Sequence, residues 1–462
     1  MNFPEQALSK QARALYELVQ SLPIVSPHGH CDPRWWAEDT PFPDPAELLI
    51  IPDHYVFRML YSQGVKLKDL GVGVAEEERD ARKVFQTFTD HWHCFLGTPS
   101  REWLEYTLYK TLGVETELTP ASSGVVFDQI SEKLSESAFK PRALFKSFNI
   151  EALATTDAAV DTLEHHDTIN KSDWSGRIVP TFRPDSVLNP ERSDFMEGLE
   201  KLRQATGKEL GTFSEYLDAI RERRQFFKSM GATATDHDVP YLSTIYLSQE
   251  KVEALYKRAL SNKLNRGDAR YFYGHMLILM AEMSVEDGLV MQLHVGSGRN
   301  SNKPLFESHG PDMGADMPRA MNWVKGLQGL LNRVGNDPRL SVILFTLDES
   351  TYTRELGPMA GHWPCLRIGP PWWFHDSTNG IRRYLDSVVE TAGYFNLAGF
   401  NDDTRAFLSI PARHDTWRRG VSMHLSDQVA SGRLRQGDAE MLAPLLCRDM
   451  ALEAYRLNDG NA

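Results

Sequence analysis

Cysteine is scarce in this chain. Cys31, Cys94, Cys365 and Cys447 are the only four in 462 residues, and no two form a C-x-x-C pair. That excludes a disulfide framework and a zinc ribbon, and it fits a reducing compartment. Long apolar runs are missing as well. The longest, His275 to Met283, is far too short to span a bilayer. Residues 1–13 are polar and carry no apolar stretch, so no signal peptide is expected and the cytoplasm is the expected location. Positive charge is in deficit: the net charge is −13. That argues against nucleic-acid and anionic-membrane partners, but a local arginine cluster can still hold an anionic small molecule. There is no low-complexity linker and no internal repeat. No G-x-G-x-x-G follows the first strand, which speaks against a dinucleotide-binding doubly wound sheet.

What remains is an ordinary globular composition, 41% hydrophobic and 24% charged, able to bury a large core. Residues 5–21 have helical periodicity. A strand follows, running into His28. Residues 34–145 are rich in Trp and Phe, with helical spacing and no strong strand; Thr98-Pro99 starts a helix that Gly113 closes. This reads as a helical insertion within one domain spanning 1–462. From residue 150, β-rich runs recur at 152–155, 177–181, 232–235, 289–294, 340–346, 366–368 and 395–400. Helical patterns lie between most of them: 193–206 closed by Gly207, a helix opened by the capping box Thr212-x-x-Glu215, two within 249–284, then 315–335 and 378–392. Residues 424–458 read as helix packed on the outside. With the His28 strand the β-runs number eight, and eight strands alternating with helices predict an α/β fold of the (β/α)8 barrel type, distorted by the insertion and by extra C-terminal helices.

In such barrels chemistry sits where strands end. The first strand ends His28-Gly29-His30. On an extended strand, side chains i and i+2 point the same way, giving two imidazoles on one side for a divalent cation. His294 closes the apolar run 290–293, as a further metal ligand or a substrate contact. Asp403 and Arg405 alternate as strand neighbours do, with a carboxylate for metal and a guanidinium for substrate; Asp402 replaces Asp403 if the register slips by one. His54 and Tyr55 lie in the helical region. A tyrosine near its ordinary pKa of about 10 holds a proton that it can give to a developing oxyanion. Trp372 and Trp373 are either core or the wall of a sugar pocket.

Together these residues resemble the glucuronate (uronate) isomerase family of the amidohydrolase superfamily. The resemblance runs along nearly the whole chain: His28-Gly29-His30 with Asp32-Pro33, Asp53-His54-Tyr55 with Arg58, and Gly97 to Arg101. It continues through Thr155 to Asp157, Pro180 to Asp185, Ala234 to His237, and Met291 to His294 with Arg299-Asn300. Gly310-Pro311-Asp312, Trp372-Trp373-Phe374 and Asp403-x-Arg405 complete it. The chain departs from the family's common pattern at Gly29, at Ala158-Ala159, at Asp348 and at His375.

The resemblance implies a distorted barrel and one divalent ion, with zinc the first candidate, on His28, His30 and Asp403. It implies aldose–ketose isomerisation of D-glucuronate to D-fructuronate and of D-galacturonate to D-tagaturonate. By that analogy Asp403 is the base, and His54 and Tyr55 relay protons. Arg183, Arg405, Arg299, His294, Trp372 and Trp373 hold a small uronic acid, in a chain able to self-associate. The competing readings are a metal-dependent hydrolase of an amide, ester or lactone on the same barrel, and a sugar-acid binding protein without catalysis.

Overall fold

The computed structural model describes residues 8–372 and 375–459. Eleven strands occur among them: β1 (Ile24–Ser26), β2 (Ile150–Ala154), β3 (Asp157–Ala158), β4 (Ile178–Val179), β5 (Phe182–Arg183), β6 (Ala234–Val239), β7 (Val290–Val295), β8 (Ser297–Gly298), β9 (Met317–Pro318), β10 (Val342–Thr346) and β11 (Leu366–Ile368). They form an α/β architecture with two parallel sheets, ordered β1-β2-β4 and β11-β10-β7-β6-β5-β3, plus the short antiparallel pair β8-β9.

The strand ladders do not close into one cylinder, and the reasons are local. The expected strand 177–181 breaks at Pro180, which has no N–H to give. Hydrogen bonds from Thr155 N to Val179 O, Asp157 N to Thr181 O and Ala159 N to Arg183 O, 2.8–3.0 Å long, stitch the two sheets together there. The expected strand 395–400 is instead a 3-10 turn, Tyr394–Asn396, followed by one parallel bridge from Leu397 to Ile368. Gly399 has φ +76°, and a Cβ on it would meet Ala451 N at 2.7 Å. Only glycine allows that approach, and its turn takes the chain out of the extended geometry. Beyond it, Asp403 N donates to His28 O at 3.3 Å and His30 N to Thr404 O at 2.9 Å, tying this segment to the one after β1.

Both strand faces are buried, as parallel sheets with helical cover require. Met291, Leu293, Val295, Val342, Leu344, Leu366 and Ile368 pack outward into the larger core. Val25, Ala152, Ala154, Val179, Ala234, Val290, Ile343, Phe345 and Ala398 form an inner core of mostly small side chains. Ala451, Leu452, Tyr455 and Leu457 join that inner core, so the C-terminal segment does not simply pack outside as expected. Its entry depends on the space left at Gly399.

Between β1 and β2 the described residues form helices and no strand. They carry a core of their own that includes Trp36, Phe57, Phe85, Phe88, Trp92 and Ile130. Thr98 caps the helix Pro99–Glu105, which continues as a π-helical turn, Tyr106–Thr111. The capping box is present: Glu215 N donates to Thr212 Oγ1 at 3.2 Å and Thr212 N to Glu215 Oε2 at 2.9 Å. The helix expected over 315–335 starts only at Trp323, capped by Asn322. Met317–Pro318 before it pair with Ser297–Gly298 in an extended conformation.

Candidate active site

β1 ends at Ser26, so His28 and His30 lie just beyond the strand rather than on it. They converge through Asp403 instead of through strand alternation. Asp403 Oδ1 is 3.4 Å from His28 Nε2 and 3.0 Å from His30 Nε2. His28 is buried, while the His30 side chain is 25% exposed toward the pocket mouth. Asp403 adopts φ 42°, a left-handed conformation. For a residue with a Cβ this strain is of order 1–3 kcal/mol and persists only where the surroundings impose it. The adjacent Asp402 turns its carboxylate to His414 Nε2 at 3.1 Å. The two aspartates thus part at a turn, not across the faces of a strand. Burial works against the Asp403 charge, but His28 and His30 outweigh it and hold the carboxyl well below the usual range.

His294 lies near the end of β7, on the face opposite Leu293. Its ring stacks on His28 at 4.6 Å and on Phe345 at 4.4 Å, with the Trp372 ring edge-on at 5.1 Å. His294 Nδ1 is 2.7 Å from Asp236 Oδ1, which fixes the ring and leaves Nε2 buried with no partner among the described residues. His28 Nδ1 is in the same position. Unpaired buried imidazole nitrogens are costly, and a group bound in this pocket could supply the partners.

Among the described residues two donor sets bring their ligand atoms within 4.8 Å of one another: His28, His30 and Asp403, and His28, Asp236 and His294. The first suits a divalent cation better. In the second, Arg183 Nη1 lies 3.3 Å from Asp236 Oδ2 and places a positive charge against any ion there. Two imidazoles and a carboxylate form a donor set that fits zinc or a similar borderline ion.

His54 and Tyr55 open the helix His54–Ser62, where the Asp53 cap accepts from Tyr55 N at 2.8 Å. Burial, followed by the Asp403 charge, drives the Tyr55 hydroxyl well above its ordinary pKa, so it keeps its proton. Burial and then Arg405 push His54 down to about 4, so its ring is neutral at pH 7. Three arginines reach the pocket, each held by an acid. Arg183 Nε lies 2.7 Å from Asp185 Oδ2, Arg299 Nη1 2.6 Å from Asp316 Oδ2, and Arg405 Nη2 2.7 Å from Asp312 Oδ2.

One pocket brings together His28, His30, His54, Tyr55, Arg183, His294, Arg299, Trp372, Asp403 and Arg405. It opens into a wider cavity of about 770 Å³ with which it shares His30, Arg183, Arg299, Asp312 and Arg405. Trp373 lies outside the described residues. Asp236, Ser297, Asp312 and Asp316 also line the pocket and were not singled out from the sequence. Thr235-Asp236-His237 and Gly310-Pro311-Asp312 could have pointed to two of them; Asp316 stood in no motif. Asp348 and His375 do not line the pocket. Asp348 Oδ1 caps its own turn through Ser350 N at 3.1 Å, and His375 Nε2 sits 3.1 Å from Leu347 O.

A parallel α/β sheet with an imidazole–carboxylate set, a protonated tyrosine and three arginine forks beyond its strand ends defines an α/β enzyme suited to a small anionic substrate. Comparison with known proteins narrows this class. The chain belongs to the glucuronate isomerase family, whose sequence pattern matches residues 4–456. A uronate isomerase of Rhizorhabdus wittichii is 51% identical over 446 residues, covering 96% of this chain and 95% of the relative. The crystal structure of a glucuronate isomerase from Caulobacter crescentus superposes with a TM-score of 0.95 at 47% identity, over 97% of this chain and 94% of that one. That of a uronate isomerase from Thermotoga maritima gives 0.91 at 27% identity, over 97% and 98%.

Proposed function

We propose that this chain is an aldose–ketose isomerase that interconverts D-glucuronate with D-fructuronate and D-galacturonate with D-tagaturonate. The observation that carries this reading is one pocket holding an ionised carboxylate, a protonated tyrosine and three guanidinium groups. Isomerisation of an open-chain uronate needs a base for the C2 proton, an acid for the carbonyl oxygen and a grip on the distal carboxylate. In our reading Asp403 removes the C2 proton and returns it to C1. The carbonyl oxygen takes its proton from Tyr55, with His54 alongside, and the C2 hydroxyl gives one back, through a cis-enediol. Each placed acid or base contributes roughly 10²–10⁴ in rate. Arg405, the most exposed of the three forks, takes the substrate carboxylate in place of Asp312, and Arg183 and Arg299 steady the hydroxyls. His294 offers Nε2 to a substrate oxygen, and Trp372 walls the C–H face.

His28, His30 and Asp403 would hold one zinc ion, which when bound supplies Lewis acidity toward the C1 and C2 oxygens. The fold we infer is a distorted (β/α)8 barrel, supported by an inner core that draws residues from seven of the eight expected β-runs, all but 366–368. Residues 34–145 are an insertion into this single domain, working in the cytoplasm. The hydrolase alternative is not favoured, because the full-length relatives at about half identity are uronate isomerases. The test is to incubate the protein with D-glucuronate or D-galacturonate in D2O and follow ketose formation and deuterium at the transferred carbon. Absence of ketose from both substrates defeats the proposal.

A further inference from the structure

The Asp402–Asp403 peptide is held at both ends. Its carbonyl accepts from Arg413 Nη1 at 3.2 Å, and its N–H donates to the His28 carbonyl at 3.3 Å. These two bonds fix the plane of the 402–403 peptide, and the bond from His30 N to Thr404 O at 2.9 Å holds the chain on the other side, so Asp403 is kept between them at its φ of 42°. Arg413 itself is fully buried, in the first turn of the helix Ile410–Ala430. Its Nη1 also donates to Asp376 Oδ2 at 2.9 Å and its Nε to Ser409 Oγ at 3.0 Å. The guanidinium carbon lies 3.6 Å from the Trp103 ring centroid and 5.4 Å from that of Tyr55. One buried cation thus braces the backbone of Asp403 and the ring of Tyr55, yet it does not line the pocket.

The plain alternative is a buried ion pair that serves the fold alone. Such a pair would use the fork bidentately on the carboxylate. Here Nη1 is divided between Asp376 and a backbone carbonyl, and Nη2 has no partner among the described residues. The side chain is placed to reach the peptide, at the expense of its own pairing.

We propose that Arg413 is a positioning residue for the His28, His30 and Asp403 set. Acting through the 402–403 peptide, it keeps the Asp403 carboxylate on the two imidazoles, with Tyr55 on the same support. The metal part of this inference is independent of the substrate; only its turnover part rests on the isomerase reading.

The experiment uses the full chain and two variants. Arg413→Lys keeps the charge and cannot reach Asp376, the Asp402 carbonyl and both rings together. The double variant Arg413→Gln with Asp376→Asn removes the ion pair without leaving a buried charge, should a single neutral substitution fail to fold. The control is Arg224→Lys, at a fully buried arginine paired with Asp287 at 2.6 Å on the outer side of the sheet. Zinc affinity is measured by chelator competition, and kcat and KM with D-glucuronate. Loss of a supporting partner behind a metal ligand lowers affinity about 10–100-fold. Both Arg413 variants should show that loss and a kcat lowered about tenfold or more, with KM within about threefold, because the substrate grip is untouched. The control should match wild type in all three. Wild-type zinc affinity in folded Arg413→Lys overturns the proposal, whatever happens to kcat, and so does an equal loss in Arg224→Lys. If the wild type binds zinc but isomerises no uronate, the functional reading falls while the affinity arm still decides the role of Arg413.

Discussion

Asp157 is 8% exposed, at the start of β3. Its Oδ2 accepts from Thr155 Oγ1 at 2.7 Å and from Thr181 N at 3.4 Å, while the Thr155 hydroxyl also lies 2.8 Å from His166 Nε2. Burial pushes the Asp157 carboxyl up from 3.8 to about 7; the Thr155 hydrogen bond opposes this and the Asp161 charge adds to it. A carboxyl with a native pKa above its unfolded value binds its proton more tightly when folded. Its contribution to stability is complete below about pH 4 and is lost as the pH rises through about 7. About three pKa units at 1.36 kcal/mol each make that contribution about 4 kcal/mol. Asp157→Asn keeps an acceptor for Thr155 and has no proton to lose. Its stability relative to wild type should rise between pH 4 and 7 at up to about 1.4 kcal/mol per pH unit, then level off. Urea midpoints for both proteins at half-unit steps from pH 4.5 to 8.5 measure the difference. A difference that stays flat across this range, or that runs the other way, refutes the assignment of the proton to Asp157.

Asp403→Asn should still bind substrate analogues but lose several powers of ten in turnover, whereas Asp402→Asn, whose carboxylate serves His414, should keep most turnover per folded molecule; steady-state kinetics on both variants decides between them. Arg405→Lys keeps the charge and loses the fork, so it should raise KM for D-glucuronate about tenfold or more, and an unchanged KM would place the substrate carboxylate elsewhere. His28→Ala with His30→Ala should abolish stoichiometric zinc binding, measured by elemental analysis after dialysis. Thr212→Ala removes a helix cap and should cost about 1 kcal/mol in denaturant unfolding, with turnover unchanged.

Much of the candidate pocket's lining was legible because reactive side chains cluster at the ends of apolar runs. His28, His30, His294 and Asp403 each follow such a run, and all four line one pocket. The reasons for their meeting were less legible. The histidine pair was expected to converge by strand alternation, but β1 stops two residues short of His28. Asp402 and Asp403 were expected to diverge by the same alternation, and they diverge at a left-handed turn. Asp312 stood in the Gly310-Pro311-Asp312 stretch without being given a role, and Asp316 was passed over because an isolated acid in a loop has no periodicity to mark it. They enter the site only because β9 folds back on β8 and carries their loop over the arginines.

By itself the sequence determined what local physics can dictate. Capping residues placed helix starts at Pro99 and Phe213, apolar spacing placed the long parallel strands, and a scarcity of cysteine and of positive charge bounded the chemistry. Only the tertiary structure decided how those pieces meet. The pinning of the 402–403 peptide depends on Arg413, Asp376 and His28, which are far apart in the chain. Beside Gly399, where the expected eighth strand gives way to a turn, Ala451 fills the space that a Cβ would need. Such contacts join residues that no local pattern relates, and they exist only once the surrounding core has packed around them.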